Sequence, residues 1–270
     1  MIRRLAALVA LVALIAGACG SPSAPALTDP KDIVTKSIAT VQAMKTFHLH
    51  AALTGTVKAD LTGSGKATPI DLQGTTADVD VDIPNGNVKA SFSAAALFVS
   101  GDLVKVGNDL YVKAAPFLPK YKKFPLDSLT SLIPISSAAP SLAAPSVDPS
   151  AAIKQLTDAL GKLSTPPVKA ADEKIGDQDC YRVTIKISQA DIAAAGAAAG
   201  ASLPPQVSGA AIAISMDVWV RKSDLRPAQF AMAVDAGDQG NVSLTLTLSN
   251  IDQAVTIAAP PADQIDTSTP

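Results

Sequence analysis

Two histidines, three evenly spaced aspartates and two cysteines are the residues of this chain whose types and spacing could do chemistry. His48 and His50 stand two apart, which in a strand puts both imidazoles on one face. Such a pair can ligate zinc, but a zinc site takes further ligands, and no third one is evident. The plainer reading is the polar outer face of a first strand. Asp78, Asp80 and Asp82 repeat the period of two in TADVDVDI. Together with loop carbonyls they could hold calcium. As a charged, solvated strand face they instead resist edge-to-edge aggregation, and that reading is preferred. No metal site is expected. Cys180 opens an apolar strand, where a free thiol packs as a small hydrophobe. The chain has no Gly-x-Ser-x-Gly elbow, no Ser-x-x-Lys, no Cys-x-x-Cys and no phosphate-cradling glycine loop. Neither catalysis nor a cofactor is expected.

Cys19 is different, because of what precedes it. Arg3 and Arg4 make a short positive start, and Leu5 to Ala16 is an uninterrupted apolar run. At that length it falls short of the ~20 residues that span a bilayer. Ala16, Gly17 and Ala18 then lead into the cysteine. This is the layout of a secretory signal with a thiol at its cleavage point, and it resembles a bacterial lipobox, with Ala16 where leucine is usual. The expectation is a signal peptide over 1–18 and a diacylglyceryl group on Cys19. Each buried CH₂ adds roughly 0.8 kcal/mol, so two or more acyl chains hold a protein stably on a membrane.

Composition narrows the rest. A formal net charge of −2, with 17 % charged residues, gives no electrostatic case for nucleic acid. Once Cys19 is acylated only Cys180 remains, so no intramolecular disulfide forms. Hydrophobic residues make up 48 % of the chain but aromatics only 4 %. Alanine, valine, leucine and isoleucine therefore carry the apolar surface, which suits a tight core or a pocket for alkyl chains.

The elements follow from periodicity. Residues 20–30 read as a flexible stalk. Asp29-Pro30 then supplies an N-cap and a first-turn proline for a helix near 30–45, with Ile33, Val34, Ile38, Val41 and Met44 at helical spacing. Alternation begins at Phe47 and returns through Val79, Val81 and Ile83, then Val88, Ala90 and Phe92, with Pro84-Asn85-Gly86-Asn87 as a turn. LFVSGDLVKVGNDLYVK adds two or three short strands around Gly101-Asp102 and Gly107-Asn108. PLDSLTSLIP reads as a short helix, followed by a Pro/Ser/Ala loop at 134–149 and a helix opened by Asp148-Pro149. Tyr181, Val183, Ile185 and Ile187 mark another strand. Ser188 with Asp191 caps an Ala-rich helix at about 189–199, and three strong strands follow Pro204-Pro205. Helix, many strands, helices and strands again describe an α+β fold built on one large antiparallel sheet. The expected organisation is a signal at 1–18, Cys19 and stalk at 19–29, one domain over 30–262 and a tail at 263–270.

AMKTFHLHAALTG (43–55), GNVKASF (86–92), GNDLYVK (107–113), the Asp148-Pro149 helix, VWVR (218–221) and VSLTLTLSNIDQAVTIAAPP (242–261) occur here in the order seen in the LppX/LprG-type envelope lipoproteins of actinobacteria. The resemblance spans nearly the whole mature chain. It implies a strongly curved antiparallel half-barrel, with helices covering the concave face and enclosing a hydrophobic cavity for acyl chains. It also implies carriage of an envelope lipid: a triacylglycerol, phospholipid or lipoglycan. By this resemblance the cavity wall is formed by Leu49, Leu53, Val88, Ala90, Phe92, Leu110, Leu132, Leu156, Leu160, Val183, Ile185, Met216, Val218, Phe230, Met232, Leu244 and Leu246. The implied partners are the lipid, the outer leaflet of the cytoplasmic membrane through acylated Cys19, and a membrane lipid exporter. A non-enzymatic scaffold for a transporter, enclosing no ligand, is the alternative. The insert around 134–149 and the Ala/Gly-rich 193–201 stretch depart from the family's pattern.

Overall fold

A computed structural model describes residues 26–60, 65–126, 157–198 and 212–266. Cys19, the 134–149 loop, the start of the Asp148-Pro149 helix, Leu132 and Leu156 lie outside them. The chain enters through α1 (Pro30–Val41). The Asp29 carboxylate accepts hydrogen bonds from the Lys31 and Asp32 amides, at 2.8 and 3.4 Å, which satisfies orphan donors of the first turn. The helix stops short of the expected residue 45. The Ala43 and Met44 amides tighten into i→i−3 bonds to Thr40 and Val41, and the Lys45 amide turns away to Asp252 Oδ1 at 2.7 Å.

Fourteen strands then build one sheet among the described residues. They are β1 (Thr46–Ala59), β2 (Thr68–Asp71), β3 (Thr75–Asp82), β4 (Asn87–Ala94), β5 (Val99–Val106), β6 (Asp109–Ala115), β7 (Leu118–Pro125), β8 (Val168–Lys169), β9 (Glu173–Ile175), β10 (Gln178–Ile187), β11 (Ala213–Arg221), β12 (Pro227–Asp235), β13 (Gly240–Ser249) and β14 (Ile265–Asp266). The spatial order is β14-β7-β6-β5-β4-β3-β1-β13-β12-β11-β10-β8, with β2 beside β1 and β9 beside β10. Every pairing is antiparallel except β14 on β7. The sheet is curved and does not close on itself, giving an α+β half-barrel. Helix α2 (Gln189–Ala198) follows β10.

One sequence expectation changes here. Gly101-Asp102 is not a turn. β5 runs through it unbroken, because Phe92, the cross-strand partner of Gly101, needs the space a side chain would take. The turn falls earlier, at Ala95–Leu97, and closes on Phe98 with φ 53°. At the C-terminal end Ile265 pairs with Tyr121 and Asp266 with Lys122.

The two faces of the sheet differ. On one face, Ile33 and Val34 of α1 pack with Leu160, Tyr181, Val183, Ile185 and Val220 into the main core. On the other, Val104, Tyr111 and Tyr121 make a second cluster, covered by Ile257 and Ile265 of the C-terminal segment. Cys180 is wholly buried beside Trp219 and Ala228 in a third, as the apolar reading of that thiol anticipated. Burial also pushes its pKa up, which keeps it protonated and unreactive.

Candidate functional site

The apolar face is assembled by strand register. Val183 stands opposite Val218, which faces Phe230, which faces Leu246, which faces Ala51. The same row continues through Ala77, Phe92, Gly101 and Ala114. A parallel row joins Ile185, Met216, Met232, Leu244 and Leu53. A third joins Leu248, Leu49, Val79, Ala90, Leu103 and Val112. Val88 and Leu110 lie on the same side, both opposite Lys105. All the expected wall residues on described strands thus share one face, and the three named rows carry no charged side chain. Leu160, in the helical stretch 157–162, packs against that face from above.

Coverage of the face is uneven. Helix α1 rests on β10, β11 and β12, and beneath it Val183 is 0 % and Ile185 2 % exposed. These two and Leu160 are packed as core. Leu49, Leu53, Val88, Ala90, Phe92, Leu110, Met216, Val218, Phe230, Met232, Leu244 and Leu246 are only half-buried. The apolar face therefore extends well beyond the footprint of α1.

A recess of about 540 Å³ opens at the ends of β10–β13, and Ile187, Ile214 and Val234 of the apolar face reach it. Lys186, Ala213, Ser215, Ala233, Asp235, Asn241 and Ser243 alternate onto the opposite face, so the recess lies mostly on that side of the sheet, with Thr165 and Ser188 at its border. That volume falls in the range of small-molecule sites. None of the wall residues expected from sequence lines it. Its apolar residues are the next along the same strands: Ile187 is paired with Ile214, and Ile214 with Val234, one step beyond Ile185, Met216 and Met232. The alternation that marked those three runs on into Ile187, Ile214 and Val234, so the signal was present. Where the strands end in space was not.

One wall of the recess is fastened by Asp191. Its carboxylate accepts from the Ser188 amide at 2.8 Å and hydroxyl at 2.6 Å, while the Asp191 amide donates to Ser188 Oγ at 3.2 Å. This reciprocal cap starts α2. The same carboxylate accepts from the Ser164 amide and hydroxyl, both at 2.8 Å, tying the segment before Thr165 to α2. Hydrogen bonds from Ser188, then from Ser164, hold the Asp191 carboxyl far below the usual carboxylate range.

The histidines and aspartates meet on the opposite, polar face. His48 Nδ1 lies 2.8 Å from Asp80 Oδ1, and His50 Nδ1 lies 2.7 Å from Asp78 Oδ1. The β1–β3 register makes each pair direct cross-strand partners. The His50 hydrogen bond is the main reason that the Asp78 carboxyl sits below its ordinary pKa. Asp82 accepts from the backbone and side-chain amides of Asn85 and so braces the Pro84–Gly86 turn. The imidazoles and carboxylates of the face thus bond one another or the turn beside them.

No family model matches the chain, and no curated protein matches it. Among solved structures it is similar to the Mycobacterium tuberculosis lipoprotein LppX, with 15 % identity and a TM-score of 0.49 over 85 % of this chain and 98 % of that one. It is also similar to LprF from Mycobacterium bovis, with 18 % identity and a TM-score of 0.46 over 86 % and 96 % of the two chains. A LolA superfamily protein from Nitrosomonas europaea matches at 14 % identity and a TM-score of 0.26, over 86 % and 96 %.

Proposed function

We propose that this protein binds a multi-acyl lipid along the apolar face of its half-barrel and carries it across the cell envelope, tethered to the membrane through acylated Cys19. One observation carries the reading. Beyond the footprint of α1, three cross-strand rows of apolar side chains stay half-buried and carry no charge. An apolar surface this continuous, only half-buried among the described residues, suits an apolar partner. Alkyl chains fit such walls, because each methylene moved out of water gains roughly 0.8 kcal/mol without polar recognition.

Mass spectrometry of an organic extract, set against protein concentration, tests this reading. A lipid carrier yields multi-acyl lipid at near one-to-one stoichiometry. Protein that emerges folded and empty, and takes up no lipid from vesicles of phosphatidylcholine and triacylglycerol, is a scaffold and not a carrier.

A further inference from the structure

Phe98 is 90 % exposed and Phe117 75 % exposed, and both stand at hairpin tips. Phe98 closes the β4–β5 turn and Phe117 lies in the β6–β7 turn. The pairing of Ser100 with Ala115 sets the two tips side by side. The tips read Ala94–Val99, AAALFV, and Ala114–Pro119, AAPFLP. Twelve residues in a row of two turns carry no charge and no hydrogen-bonding side chain. Turns on a soluble surface ordinarily use Gly, Asn, Asp and Ser. This sheet does so in its other turns, at the far end in Pro84-Asn85-Gly86, Gly107-Asn108 and Ser223-Asp224 and at the same end in Gly237-Asp238-Gln239. Phe98 is moreover held in the left-handed region, φ 53°, with its amide donating to the Ala95 carbonyl at 3.1 Å, a conformation uncommon for a bulky residue.

Register places these tips at the end where the recess opens. Ala94 pairs with Thr75 and Thr75 with Leu53; two residues on, Gly55 pairs with Val242, which pairs with Val234 of the recess. The hairpin Asp109–Pro125 also carries four lysines against one aspartate. Lys113 and Lys123 are paired with Asp102 and Asp109, whereas the Lys120 ammonium donates to the backbone carbonyl of Asp263. Lys120 sits three residues from Phe117, roughly 10 Å along an extended strand. That matches the ~5–10 Å to which interfacial apolar groups sink below the headgroups.

We propose that the Leu97-Phe98 and Phe117 tips enter the interface of an anionic lipid bilayer, with Lys120 at headgroup level, and so hold the open end of the half-barrel against the membrane. A protein partner fits less well, since protein interfaces pair an apolar centre with a polar rim and several hydrogen bonds, and the tips offer no side-chain donor or acceptor. The proposal does not require the protein to carry lipid, because tip insertion is read directly whatever the cargo.

The test uses the full chain in vesicles of phosphatidylcholine with a minority of phosphatidylglycerol, with or without brominated acyl chains. Phe98→Trp and Phe117→Trp each add one indole at a tip, while Ser223→Trp adds one at an exposed turn of the opposite end; native Trp219, buried, gives a constant background. In the two tip variants the added emission shifts to the blue and is quenched by brominated chains, and in Ser223→Trp it does neither. Tip emission that stays at the wavelength of water-exposed indole, or responds no more than Ser223→Trp, overturns the proposal. So does a blue shift that appears only when a second protein is added, which would assign the tips to protein docking.

Discussion

Arg182 grips Asp217 across β10 and β11 with two hydrogen bonds, Nε to Oδ1 at 3.2 Å and Nη2 to Oδ2 at 3.0 Å. The guanidinium also lies over the Trp219 ring, 5.0 Å from its centroid. Thr184 donates to the same carboxylate, and Glu173 accepts from both Arg182 and the Trp219 indole. This cluster fastens the polar face beneath the strands whose other side carries the main core.

Burial pushes the Asp217 pKa up, but the hydrogen bonds from Arg182 and Thr184 outweigh it and hold the carboxyl below the ordinary 3.8. A depressed carboxylate contributes stability that is present above its unfolded pKa and lost as pH falls through the folded value. In Arg182→Met that acid-side loss should shrink. At neutral pH the variant should be less stable by about 1 kcal/mol, less than the ~1.5–3 kcal/mol of a buried hydrogen bond to a charged group because the pair is partly solvated. Denaturant titrations between neutral and acid pH check both. An unchanged slope of stability against pH would show that Asp217 is not the group concerned.

A second prediction rests on the close approach of Phe92 to Gly101. A Cβ at Gly101 would lie 2.8 Å from Phe92 Cζ and 2.2 Å from the Lys113 carbonyl oxygen. Gly101→Ala should therefore destabilise by the ~1–3 kcal/mol typical of overpacking. Adding Phe92→Leu removes only the clash with the ring, so the double variant should recover in part. Full stability of Gly101→Ala by denaturant titration would mean that the strands can spread there at no cost.

These contacts show where sequence reading succeeds and where it stops. Alternation at Phe47, Leu49, Ala51 and Leu53, and again at Val88, Ala90 and Phe92, placed the apolar face correctly, because a half-buried strand writes its face into a period of two. Asp29-Pro30 and Ser188…Asp191 announced their helix starts, because capping is local chemistry. Gly101-Asp102 looked like a turn for the same local reason, but packing against Phe92 kept it in a strand. The meeting of His50 with Asp78, and of Arg182 with Asp217, depends on which residues end up opposite one another. So does the recess at Ile187, Ile214 and Val234, since it exists only where four strand ends coincide. Register of that kind is a property of the whole sheet and leaves no mark in any one segment.

Anchoring gives a third prediction. The apolar run ending in Ala16, Gly17 and Ala18 before Cys19 should direct acylation of that thiol. Cys19→Ser should then release the protein or leave it as unprocessed precursor, seen by fractionation and intact mass. Correctly cleaved Cys19→Ser protein that stays on the membrane as before would defeat this account of the tether.

The last prediction separates cavity from core on the apolar face, at Ala90. Its cross-strand partners are Val79 and Leu103, all three on the half-buried part of the face away from α1. Ile33 of α1, fully buried against the sheet, is the reference: Ile33→Ala should cost the ~2–5 kcal/mol of a large-to-small core change without altering lipid content per folded molecule. If the face around Ala90 is open to acyl chains, the indole of Ala90→Trp occupies space that a chain would fill. Melting temperature should then change little, while extracted lipid falls. If the face is closed, overfilling should cost about 1–3 kcal/mol and leave lipid content unchanged. Both quantities are read on one preparation, so a variant that melts far lower yet carries its full lipid would place Ala90 in a core and move the lipid site elsewhere on the sheet.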